Sequence, residues 1–130
     1  MHERSEAVIA AYRPKRGKEQ QLRKLVREHR RTLDAAHLIT SRPTVLLRAR
    51  SDGTVVEIFE WVSAKAADEA HLNPAVRKLW NKFAKIADFV PLSSIQEADK
   101  VFSPFETLGA SASKVRALNS KGAASRRTRR

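Results

Sequence analysis

The dipeptide Asp52-Gly53 stands between two apolar, β-branched runs, and this makes a β-hairpin the most constrained element of the chain. With a two-residue type I′ turn, Ser51 faces Thr54. Counting outward then sets Arg48 opposite Glu57, Leu46 opposite Phe59 and Thr44 opposite Trp61. One face of the hairpin carries Leu46, Arg48, Val55, Glu57, Phe59 and Trp61. The other carries Val45, Leu47, Ala49, Val56, Ile58 and Glu60; being almost uniformly apolar, it is the face expected to pack on helices. The first face mixes aromatics with an Arg and a Glu, so it is expected to line a pocket or meet a partner. Read more plainly, it is a solvated sheet face with one cross-strand ion pair.

The rest of the chain arranges itself around this hairpin. Glu6 to Arg13 reads as a first strand, closed by Pro14 and the Lys15-Arg16-Gly17 turn. Lys18 to about Ala36 follows as a helix, with Leu22, Leu25, Val26, Leu33 and Ala36 at three- and four-residue spacing. His29 lies beside that stripe and reads as a helix-packing residue. After Trp61, Ser63 caps a second helix that carries His71, and Asn73-Pro74 breaks and restarts it, Asn as a fresh N-cap and Pro at the first helical position. The restarted piece, Ala75 to Ala87, places Val76, Leu79, Trp80 and Phe83 on one stripe. Phe89 to Glu97 reads as a fourth strand whose Pro91 calls for an edge or a bulge. Val101 to Leu108 is a short apolar stretch that either folds back on the body or crosses to a second subunit.

The resulting order is β-α-β-β-α-β: an α+β, ferredoxin-like domain with a four-stranded antiparallel sheet and helices on one side only. Its other sheet face is left bare. With Trp61, Phe59 and Leu46 expected there, a lone protomer would expose an apolar patch, so a homodimer closed sheet to sheet is predicted.

Composition narrows the chemistry. The 130 residues form one folded domain, residues 1 to 108, followed by a basic tail. Of the net charge of +12, seven basic and no acidic residues from Gly109 to Arg130 supply +7, which leaves +5 for the domain. That tail is rich in Ala, Ser and Gly, so disorder and at most a weak, salt-dependent contact with nucleic acid are expected of it. No cysteine is present, which excludes thiol nucleophiles and thiolate metal sites. His2, His29, His37 and His71 have no paired spacing on one element, so no metal is expected, and four glycines without a Gly-rich loop give no phosphate cradle. No secretory or membrane-spanning apolar run is found, so a cytoplasmic protein without a membrane partner is expected.

Over about residues 6 to 96 the chain resembles the antibiotic-biosynthesis-monooxygenase-like (ABM) proteins of the dimeric α/β barrel superfamily. The resemblance rests on the element order, the strand-ending Trp61, the ten-residue step from Trp61 to His71, and the restart HLNPAVRKLW. It implies a homodimeric α/β barrel with a pocket inside the barrel or between sheet and helices. It also implies a cofactor-independent oxygenase acting on a small aromatic or quinol-type molecule, without metal or flavin. The haem-degrading branch of that family does not fit: its axial histidine and its strand-one asparagine correspond here to Asn81 and Ala10, and His71 replaces one of its tryptophans. Pro43 also stands in the region where the family commonly has a glycine before the second strand.

Under the oxygenase reading His71 is the candidate base and Arg48 holds a developing oxyanion. Trp61, Phe59 and Leu46 form the wall, with Glu57 and Tyr12 supplying polar contacts to the substrate. The alternative is a non-enzymatic dimeric module of the same fold that binds a small molecule. A nucleic-acid accessory role, resting on the tail, is a third reading.

Overall fold

A computed structural model describes residues 4–111, the side chains of the last two excepted. Five strands and three α-helices follow one another as β1 (Glu6–Pro14), α1 (Glu19–Ala35), β2 (Thr44–Arg48), β3 (Val55–Trp61), α2 (Ala64–Leu72), α3 (Pro74–Ile86), β4 (Ala87–Phe89) and β5 (Glu106–Ser111). The strands make one antiparallel sheet in the order β4-β1-β3-β2-β5. The four strands β4-β1-β3-β2 are compatible with the ferredoxin-like arrangement, but the sheet has five strands rather than four. The fifth comes from the end of the apolar stretch before the tail: β5 pairs with β2 of its own chain, and Gly109 at φ +108 takes the irregular step beside the extra residue Leu108. It runs three residues past Leu108, the expected end of the domain; residues 112–130 of the expected tail lie outside the described part.

The helix signals act at the positions that carry them. Ser63 Oγ accepts from Ala66 N–H, and Asn73 Oδ1 accepts from Ala75 and Val76 N–H, so one asparagine ends α2 and begins α3. α1 closes in a Schellman motif: Leu38 N–H reaches the Leu33 carbonyl, His37 N–H reaches that of Asp34, and His37 takes the left-handed conformation at φ 59.

Three expectations are corrected. The hairpin loop is not a two-residue turn. Ala49 N–H donates to the Thr54 carbonyl and Gly53 N–H to the Ala49 carbonyl, which closes a longer loop, and β2–β3 pairing slides by two residues. Leu46 is therefore opposite Glu57, and Arg48 opposite Val55. A type I′ turn needs positive φ at both central residues; here Gly53 alone supplies it, at +77. Asp52 instead turns its carboxylate back to accept from Thr54 N–H and Oγ1.

A slip of two keeps every side chain on its own face, but the choice of covered face is reversed. Leu46 and Val55 pack with Leu22, Val26, Leu79 and Phe83 of α1 and α3, while Phe59 and Trp61 pack with Leu33, Ala66, Ala70 and Val76. The face carrying Arg48, Glu57 and the aromatics is thus the helix-covered one. Third, Phe89 to Glu97 is not a strand. After Phe89 the chain makes 3-10 turns at Leu92–Ser94 and Gln96–Asp99 that drop Ile95, 1% exposed, onto Ala11, Ala49 and Val56 of the other sheet face. Glu97 fastens this segment to the hairpin loop by accepting from Ser51 N–H and Oγ at 2.8 and 2.7 Å.

Because Gly53 alone carries the positive φ, and a Cβ there would lie 3.1 Å from Glu19 Oε2, Gly53→Ala is expected to lose about 1–2 kcal/mol. Urea unfolding with an unchanged m-value checks this, and an unchanged midpoint would show that the loop does not rely on that conformation.

Candidate functional site

Glu57 rises from the centre of the helix-covered face of the sheet. Its cross-strand neighbours are Ala10 on β1 and Leu46 on β2. His29 occupies one position of the buried stripe Leu22, Val26, His29 and Leu33, which brings its ring down onto the strand. Its Nδ1 lies 3.0 Å from both Glu57 carboxylate oxygens. Tyr12, two residues beyond Ala10 on the same face, donates its hydroxyl to Glu57 Oε1 at 2.6 Å. Trp80 of α3 donates its indole N–H to His29 Nε2 at 3.0 Å.

One proton arrangement follows. An indole N–H can only donate, so His29 Nε2 is the acceptor and the imidazole proton sits on Nδ1, donated to Glu57. Glu57 collects both donated protons, and among the described residues no lysine or arginine pairs with it. Glu57 is 0% and His29 2% exposed, and the rings of Phe59 and Phe83 stand edge-on to His29 at 5.7 and 5.5 Å. Burial pushes the Tyr12 phenol well above its usual range; the negative charge of Glu57 and the hydrogen bond to it add to the effect. Tyr12 is thereby a fixed proton donor, not a base.

The expected site residues fall in four places. Tyr12 and Glu57 are brought together. Phe59 and Trp61 are buried core residues of the helix side, and Leu46, also buried, lines a small depression with Val26, Val55 and Leu108. Arg48 does not meet Glu57: it pairs with Glu106 at 2.9 Å and Glu19 at 3.5 Å, tying β5 and α1 to the end of β2. His71 is exposed on α2, its Nδ1–H donated to the Ala67 carbonyl at 2.9 Å and its ring set edge-on to Trp80 at 5.0 Å. It touches the outer end of the network but is not part of it. In the sequence His29 and Trp80 read only as packing residues. The one signal that could have joined them to Glu57 is a lone acid on one buried face and a lone histidine on another, since each needs a polar partner.

Tyr12, His29 and Glu57 are all buried beneath the helices, which closes their network to solvent. The network therefore clamps β1, β3, α1 and α3 in one register, and a substrate could reach it only if those elements parted. The second candidate site is the opposite sheet face. Ile95 and its segment cover one half, while Ile9 and Val45 in the other half remain 52% and 39% exposed beside Ile58 and Leu47. Val101 and Phe102, in the link from the covering segment to β5, are 96% and 89% exposed. Among the described residues no group of three or more His, Asp or Glu side chains gathers to hold a metal, and no helix is long and apolar enough to cross a membrane.

Tyr12 is the only tyrosine in the chain, so its phenol can be followed without interference. The folded protein keeps the proton above pH 10, where the unfolded chain gives it up; the stabilisation is whole below that pH and is lost as pH rises past it. Phenolate absorbance is expected to appear only together with unfolding, and reversible ionisation near pH 10 in the intact fold would refute this. Tyr12→Phe should abolish the alkaline loss and cost about 1.5–3 kcal/mol at neutral pH, the worth of a hydrogen bond to a charged acceptor.

No family model matches the chain, and neither a curated protein nor a solved structure does.

Proposed function

We propose that the protein is a dimeric α/β barrel of the ABM-like kind, in which two open sheet faces close on each other and hold a small aromatic or quinol-type molecule between them. In this reading it is a cytoplasmic binding module rather than a catalyst. The observation that carries it is the half-covered sheet face: Ile9, Val45, Leu47 and Ile58 form a continuous apolar surface left open by the fold. An apolar patch of this kind on a sheet marks an interface or a binding site. That surface has no titratable side chain in its middle. The charged groups stand at its ends, Glu60 held by Thr40 and Arg42, and Arg13 held by Asp52. A chamber lined this way can exclude water and select shape, but it supplies neither a base nor an oxyanion donor.

The oxygenase reading has one observation in its favour. His71 is exposed, its Nδ1 is occupied by the Ala67 carbonyl, and its Nε2 has no protein partner among the described residues, so it could take a proton from a phenol lying against Trp80. It sits on the helix side, away from the open sheet face, so a site there would be separate from the chamber.

Native mass spectrometry of the freshly purified protein tests the main reading. The expected result is a two-chain mass that takes up small aromatic molecules, and a one-chain mass for Ile9→Glu with uptake lost. A one-chain mass for the unaltered protein would sink it. His71→Ala separates the two readings: unchanged uptake is expected of a binding module, whereas loss of a measurable turnover would transfer the function to the oxygenase.

A further inference from the structure

The helix layer, on the far side of the molecule from the open sheet face, carries an unusual charge arrangement. α3 has four basic residues and no acidic one. On α1, Lys24, Arg27 and Arg31 point outward, and on α3 Lys78, Lys82 and Lys85 do the same; all six are exposed. None of them takes part in a salt bridge among the described residues. The arginines that do are Arg13, Arg42, Arg48 and Arg50, all on the strands and their loops. Three acids lie on the two helices: Glu28 in the groove between them, Asp34 near the end of α1, and Glu19 at its start, which pairs with Arg48.

We propose that this outer surface of α1 and α3 binds the phosphodiester backbone of nucleic acid, without reading its sequence. At 1.5 Å rise per residue each row of three cations spans roughly 10 Å, and packed helix axes lie about 8–10 Å apart. Each row therefore spans the axial rise of about three nucleotides of a duplex strand, at ~3.4 Å each. Cations that the fold leaves without carboxylate partners are free to neutralise phosphates, and the counterions which those phosphates then release drive the binding. A membrane surface fits less well, because an interfacial helix needs exposed large apolar side chains, and none of those among the described residues lies on α1 or α3. No aromatic platform faces outward between the rows, since Trp80 is turned to His29 and His71, so bases are not expected to be read.

The site is distinct from the basic tail, and the test separates them. Full-length protein is titrated into a labelled DNA duplex of mixed sequence at several salt concentrations, with fluorescence anisotropy as the readout. Lys78→Gln/Lys82→Gln/Lys85→Gln is expected to weaken binding about tenfold or more at fixed salt. It should also lower the slope of log K against log salt by up to about 3, near 0.9 for each phosphate no longer neutralised. Lys24→Gln/Arg27→Gln/Arg31→Gln should behave alike, with thermal melts of both variants confirming the fold. Arg126→Gln/Arg127→Gln/Arg129→Gln/Arg130→Gln should leave most of the binding in place. The proposal is overturned if the two helix variants keep the unaltered slope, or if only the tail variant loses binding. It is equally overturned if anionic vesicles or polyglutamate compete as well as DNA at the same salt.

Discussion

A carboxylate in a dry core has to be answered from several directions, and Glu57 dictates much of this structure. Moving a charge out of water is costly unless hydrogen bonds replace the lost solvation, and partial satisfaction is worse than none. Here the donors come from three elements besides its own strand: Tyr12 from β1, His29 from α1 and, one step removed, Trp80 from α3. Small errors in how the helices lie on the sheet would break at least one of these bonds. The network is thus a specification device: it selects one packing of the two long helices out of the many an apolar face alone would tolerate.

The same constraint explains which side of the sheet the helices cover. Val45, Leu47, Ala49, Val56 and Ile58 make the more uniformly apolar set, and on hydrophobicity alone they belong beneath the helices. The other set has larger side chains, Phe59 and Trp61, which fill the space against Ala66 and Ala70 of α2. Its one acid finds its donors only on that side. Pairing geometry decided the matter rather than mean apolarity.

Covering one face leaves a molecule with two unlike sides. The open sheet side is apolar and partly roofed by Ile95, while the helix side is cationic, its outward lysines and arginines without ion-pair partners among the described residues. Closing two sheet faces on each other would bury the first and place the second on both outer surfaces of the pair.

The element order as far as α3, the N-caps at Ser63 and Asn73, the helix restart at Pro74 and the two sets of side chains on the hairpin were legible in the residues themselves. Each depends on spacing or on a side chain bonding its own neighbours, and local chemistry is printed in local sequence. What the residues by themselves did not determine is anything that needs a partner distant in the chain. A strand β5 on the edge of β2, the turn of Ile95 onto the sheet, the release of Arg48 to Glu106 and Glu19, and the meeting of His29, Glu57, Tyr12 and Trp80 all join groups dozens of residues apart. In the sequence Glu57 is one acid in a strand and His29 one histidine on a helix, and each is compatible with solvent. Only when the sheet and helices close does water leave both, and the cost of leaving either unpaired selects the face, the register and the site together.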